Sequence, residues 1–114
     1  MAKSVDLNSD MGEGFGAWRM GDDAELLKTV TSANIACGFH AGDADTMAET
    51  MAVAVKLDVG IGAHPGFRDL QGFGRQRMDV PLKTLANQVK YQIGAAQGIA
   101  AVSYTHLTLP TKIV

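Results

Sequence analysis

A single cysteine, Cys37, stands among the 114 residues, so no disulfide can form within the chain and packing must hold the fold. Charge of neither sign dominates. Ten Lys and Arg against twelve Asp and Glu leave a net charge of -2, without the basic excess that a nucleic-acid backbone attracts. No apolar run approaches the roughly 18 residues of a membrane span. The opening "MAKSVDLNSD" places acids where a secretory leader needs an apolar core. These absences predict a cytoplasmic protein with no nucleic-acid or membrane partner. What is present, 46% apolar residues, suits one ordinary folded domain.

Two periodicities alternate along the chain. Ser4 to Asn8 reads as a short strand, and Asp22, Asp23, Ala24 and Glu25 form a capping-box-like start for a helix carrying Leu26, Leu27 and Val30. Ser32 to Cys37 is a second apolar strand. After it Asp43 can cap a helix whose Ala44, Met47, Met51 and Val55 recur at steps of three and four. Val59 to His64 makes a third strand, and Pro81 fits the first turn of a helix with Leu82, Leu85, Val89, Ile93 and Ala96 on one side. A β-α-β-α-β-α order predicts an α/β fold on a parallel sheet, either doubly wound or part of a barrel.

In both architectures ligands bind beyond the carboxyl ends of the strands. The residues expected there are polar: Asp10 and Glu13 after the first strand, Cys37 and His40 after the second, His64, Pro65 and Gly66 at the end of the third. Period-two spacing sets Asp6, Asn8 and Asp10 on one strand face, where they need partners or a wet cavity. Gly12, Gly14 and Gly16 allow a tight backbone whose N–H groups can meet an oxygen of a small polar ligand, although turns also use Gly and Asp for their own sake.

Two motifs fail on inspection. The Asp6-Asn8-Asp10 spacing imitates a calcium loop, but Met11 and Ala17 stand where that loop needs Gly and Glu. The glycine-rich run meets neither nucleotide fingerprint, so any ATP binds elsewhere. Cys37, at the end of an apolar strand, is expected to be a packing residue rather than a nucleophile. Arg68, Arg75 and Arg77 lie in a Gly- and Asp-rich segment, a solvated loop by default, with Arg75 the candidate for a substrate anion.

The blocks "VDLNSDMGEGFGAWRMGDD", "TSANIACGFHAGD" and "VGIGAHPGFRDLQGFGR" resemble the successive signatures of the LamB/YcsF family over about the first hundred residues. The resemblance implies the N-terminal portion of a seven-stranded, deacetylase-like β/α barrel. It implies lactam utilization: ATP-dependent hydrolysis of 5-oxo-L-proline to L-glutamate with two further subunits, B and C, the ATP bound with or by those partners. Carried over by position, the catalytic candidates are Asp10, Glu13, His40 and His64. The substrate-binding candidates are Asn8, Gly12, Gly14, Phe15, Asn34, Asp43 and Arg75. Asp10, His40 and His64 are the candidates for a divalent metal, and whether one is used stays open. A metal-dependent deacetylase-like hydrolase and a non-catalytic carbohydrate- or lactam-binding module are the competing readings.

A β/α barrel takes roughly 250 residues, and a Lys-Pro-His-Gly segment of the family is missing. Residues 1–101 are therefore expected to be a partial barrel domain. The segment 102–114 is expected to be a non-native tail resembling translated adapter sequence, despite an alternation over Tyr104 to Leu109 that would pass for a strand and would display His106. Three β/α units expose a strand edge and apolar helix faces. Light scattering should therefore show the 114-residue chain associating, and it should lack 5-oxoprolinase turnover with partners and ATP; deleting residues 102–114 should change neither result.

Overall fold

A computed structural model describes residues 3–103. Three strands alternate with three helices: β1 (Asn8–Met11), α1 (Asp23–Leu26), β2 (Ser32–Ala36), α2 (Ala44–Lys56), β3 (Gly60–His64) and α3 (Leu82–Ser103). The strands are parallel in the order β1-β2-β3. The alternating segment 104–109, with His106, lies outside the described residues.

Register sorts the side chains by face. Ser9, Ala33 and Ile61 align across the sheet, as do Met11, Ile35 and Ala63. All but Ser9 belong to one buried cluster with Met47, Met51 and Ala54 of α2 and Ala96 and Ala100 of α3. The opposite face carries Asn8 beside Ser32 and Gly60, then Asp10 beside Asn34 and Gly62, with His64 following on β3. One face is thus a helix-covered core and the other is polar. Sequential parallel strands with α2 and α3 packed on a single face are a unit common to a β/α barrel and to one half of a doubly wound sheet.

Three elements depart from expectation. The first strand starts at Asn8 rather than Ser4, because the ladder is set by where β2 offers partners. Before it, the Leu7 carbonyl accepts from the Thr31 and Ser32 amides, while Val5 and Leu7 stay 87% and 52% exposed. Asp6 turns away from the site, its carboxylate accepting from the hydroxyls of Thr31 (2.5 Å) and Ser32 (2.6 Å). The first helix is a single turn. Asp22 caps it through the Glu25 amide, but the next amides, of Lys28 and Thr29, bond three residues back, and the β-branched Thr29-Val30-Thr31 run leads directly into β2. Leu27 and Val30 are buried all the same. On α3, Leu82 is 82% exposed; full burial begins later, at Gln92, Ala96 and Ala100, where small residues let the helix approach its neighbours.

Asp43 caps α2 as expected, with Oδ1 accepting from the Thr46 amide at 2.7 Å. Its Oδ2 accepts from the Gly16 amide, also at 2.7 Å, tying the loop after β1 to the start of α2. The Gly16 amide and then the Thr46 amide hold this carboxyl below the usual aspartate range. A depressed folded pKa stabilises above the unfolded value, and the contribution is lost as pH falls through the folded one. Asp43→Ala should cost about 1 kcal/mol of helix cap and speed hydrogen exchange at the Gly16 and Thr46 amides relative to wild type. The difference should shrink as pH drops below the ordinary aspartate range.

Candidate active site

Three neighbouring segments build the site at the carboxyl end of the sheet. Asp10 lies within β1, one residue before its end, rather than after the strand, because the strand runs to Met11. Across the ladder, Asn34 Nδ2 donates to Asn8 Oδ1 at 3.0 Å and to Asp10 Oδ1 at 3.3 Å. The last residue of β3, His64, sets Nδ1 3.7 Å from Asp10 Oδ1. Asn34 therefore aims Asp10 toward the imidazole instead of lining the cavity itself.

His40 enters from the loop after β2, where the Gly38 amide donates to the Ala41 carbonyl to close a turn. It is 4% exposed, with its ring centroid 4.6 Å from that of His64 and 5.5 Å from that of Phe73. Two glycines make the space: a Cβ on Gly66 would sit 2.5 Å from His40 Nδ1, and one on Gly74 would sit 2.6 Å from His40 Cβ. Neither nitrogen of His40 has a hydrogen-bond partner, and neither does Nδ1 of His64. Unsatisfied buried polar atoms cost about 1–3 kcal/mol each, a cost that packing of the two rings does not account for. Burial first, then His64, lowers the His40 pKa below the ordinary imidazole value, with Asp10 opposing. Burial first, then the Asp10 charge, raises that of Glu13, and His64 and Arg75 partly offset this.

Asp10, Glu13, His40, His64, Pro65, Gly66, Phe73, Gly74 and Arg75 line one cavity of about 210 Å³. All the catalytic candidates meet there, with Arg75. The other substrate-binding candidates do not line it. Asn8 and Asn34 stand behind Asp10, and Asp43 has both oxygens on backbone amides. Gly14 faces a separate groove of about 500 Å³, beside Trp18 and Asp23. The expected amide cradle is corrected in part: the Gly12 amide donates to Asp23 Oδ2, that of Phe15 to the Trp18 carbonyl and that of Gly16 to Asp43, so these donors serve the loop. Cys37 lies in the core cluster with its thiol pKa raised by burial, as a packing residue should be.

The LamB/YcsF family model matches residues 5–109, more than nine-tenths of the chain. The chain belongs to the LamB/YcsF family. It is 70% identical over 96 residues to the A subunit of 5-oxoprolinase from Ruegeria pomeroyi, covering 84% of this chain and 38% of that protein. To the A subunit of 5-oxoprolinase from Methylococcus capsulatus it is 59% identical over 100 residues, covering 88% and 38%. It superposes on the crystal structure of the lactam utilization protein from Thermus thermophilus with a TM-score of 0.87 at 43% identity, covering 94% of this chain and 42% of that one. The chain thus spans about two fifths of the length of the relatives it matches.

One residue of this LamB/YcsF chain escaped sequence reasoning. Gln92, 0% exposed on α3, accepts from the Gly66 amide through Oε1 and donates through Nε2 to the Gly66 carbonyl, both at 2.9 Å, and to the Gln88 carbonyl at 3.1 Å. It fixes the backbone just after His64, against which His40 packs. The available signal was a glutamine four residues before Ala96 on the apolar stripe of α3. Gln92→Leu keeps the bulk but strands both groups of Gly66. It should destabilise the protein by about 1–3 kcal/mol in urea unfolding and shift the His40 and His64 ring resonances.

Proposed function

We propose that this LamB/YcsF chain carries the acid and imidazole half of the active site of an ATP-dependent 5-oxoprolinase, which opens the lactam of 5-oxo-L-proline to L-glutamate in an assembly with subunits B and C. The observation that carries the reading is the convergence of Asp10, Glu13, His40, His64 and Arg75 on one small cavity. The names of the relatives, the A subunit of 5-oxoprolinase and lactam utilization protein, support the substrate class.

An unstrained lactam is a poor electrophile, so its carbonyl must be activated before water adds. ATP does this by transferring its γ-phosphoryl group to the lactam oxygen. Water then adds to the ring carbon and the C–N bond breaks, leaving the γ-carboxyl as an acyl phosphate; a second water hydrolyses that bond, and glutamate, ADP and phosphate result. No nucleotide fingerprint is present here, so ATP is assigned to the interface with the partner subunits or to the partners themselves. Asp10 is half-exposed at 55% and oriented by Asn34; it takes the proton from water and hands it to the departing ring nitrogen. Arg75, on the cavity wall, suits the substrate carboxylate. His40 and His64 face the reacting carbonyl.

In a full-length protein carrying this segment, assembled with its partners, Asp10→Asn and His64→Ala should each lower ATP-dependent glutamate formation about 10²–10⁴-fold while circular dichroism stays native. Wild-type turnover in either variant removes that residue from the mechanism. Saturable 5-oxoproline binding without turnover in the assembled wild type replaces the hydrolase reading with a binding module.

A further inference from the structure

The imidazole pair holds more coordinating capacity than the surrounding protein uses. Buried Gln92, by comparison, is partnered by three hydrogen bonds, and a single further unpartnered buried side-chain atom among the described residues, Asp69 Oδ2, lies outside the cavity lining. Yet both nitrogens of the 4% exposed His40 and Nδ1 of His64 have no hydrogen-bond partner. One ligand atom from each of Glu13, His40 and His64 lies within 4.8 Å of the other two, and Asp10 adds a second carboxylate 3.7 Å from His64. We propose that Glu13, His40 and His64 bind one divalent transition-metal cation of zinc-like preference, with Asp10 as the adjoining carboxylate.

The donor chemistry selects the ion. Two imidazoles and one carboxylate are the protein ligands of sites that keep a further position open for water or substrate, whereas magnesium and calcium ask for oxygen donors throughout. The ligands come from three segments, the loop after β1, the loop after β2 and the end of β3, so one ion closes the polar end of the sheet. A positive charge there also relieves the repulsion between Asp10 and Glu13. Bound, such an ion supplies the charge that polarises a carbonyl oxygen. The proposal is independent of the lactam reading, because it can be tested with no substrate.

The full chain, stripped with a chelator, is titrated with Co²⁺ and followed by the visible absorption of the bound ion, then challenged with Zn²⁺. Saturation at one ion per chain, displacement by Zn²⁺ and indifference to excess Mg²⁺ or Ca²⁺ are expected. His40 is buried and its loss can disturb the fold, so the weight rests on His64→Ala and Glu13→Gln, each weakening Co²⁺ binding by about tenfold or more. Cys37→Ser and His106→Ala, which remove the other soft donors, should leave the titration unchanged. Absence of saturable binding overturns the proposal. So does binding that survives both site substitutions or disappears in either control.

Discussion

The parallel register of β2 with both its neighbours is the constraint on which the rest depends. Asp10 opposite Asn34 and Gly62, with Met11 opposite Ile35 and Ala63, gives the sheet one polar and one apolar face. Strand side chains alternate with period two, so a slip of one residue would carry Met11 and Ile35 out of the core and turn Asp10 into it. The hydrophobic term guards against that slip through α2 and α3, which cover only the apolar face. Polar chemistry on the other face is thereby held in place by burial on the far side of the sheet.

Register alone would leave the strand exits loose. Helix residues tie two of them down. Beyond β1, Asp23 of α1 accepts from the Gly12 amide and Asp43, the cap of α2, from the Gly16 amide. Beyond β3, Gln92 of α3 grips both backbone groups of Gly66. The exit of β2 is tied by sterics: Gly42 has φ +79, and a Cβ there would collide with the Gly12 carbonyl oxygen. Each loop bearing a site residue therefore depends on the helix that follows it or on its neighbour loop, and the site has little freedom to drift.

Much of this was legible in the sequence. Helix caps at Asp22 and Asp43, the strand-end positions of His40 and His64 and the packing role of Cys37 follow from local rules of periodicity, capping and burial. The start of β1 was not legible, because Val5 and Leu7 alternate like a strand and only the position of β2 shows that they lack ladder partners. Glycine function was half legible. The need for bare backbone at Gly12 to Gly16 could be read, but that their amides would be spent on Asp23, Trp18 and Asp43 depends on contacts distant in sequence. The packing of Gly66 and Gly74 against His40 is likewise tertiary. Gln92 was hidden because a lone glutamine on an amphipathic stripe looks like a boundary residue until its partner is known.

The distribution of unsatisfied groups separates binding surface from scaffold. Scaffold polar atoms, such as the oxygens of Asp43 and the amide of Gln92, are paired, and their geometry is spent on holding loops. In the cavity the balance reverses: His40 is enclosed by Gly66, Phe73 and Gly74 at the cost of leaving both its nitrogens unpaired. A ring needed only for packing would be better served by phenylalanine, which fills similar space and brings no polar atoms to desolvate. Glu13 sits under the same strain, half-buried beside a second carboxylate. Among the described residues, three of the four buried side-chain atoms without a hydrogen-bond partner gather where the three strand ends meet, the fourth being Asp69 Oδ2, and that concentration sets the cavity apart from the scaffold.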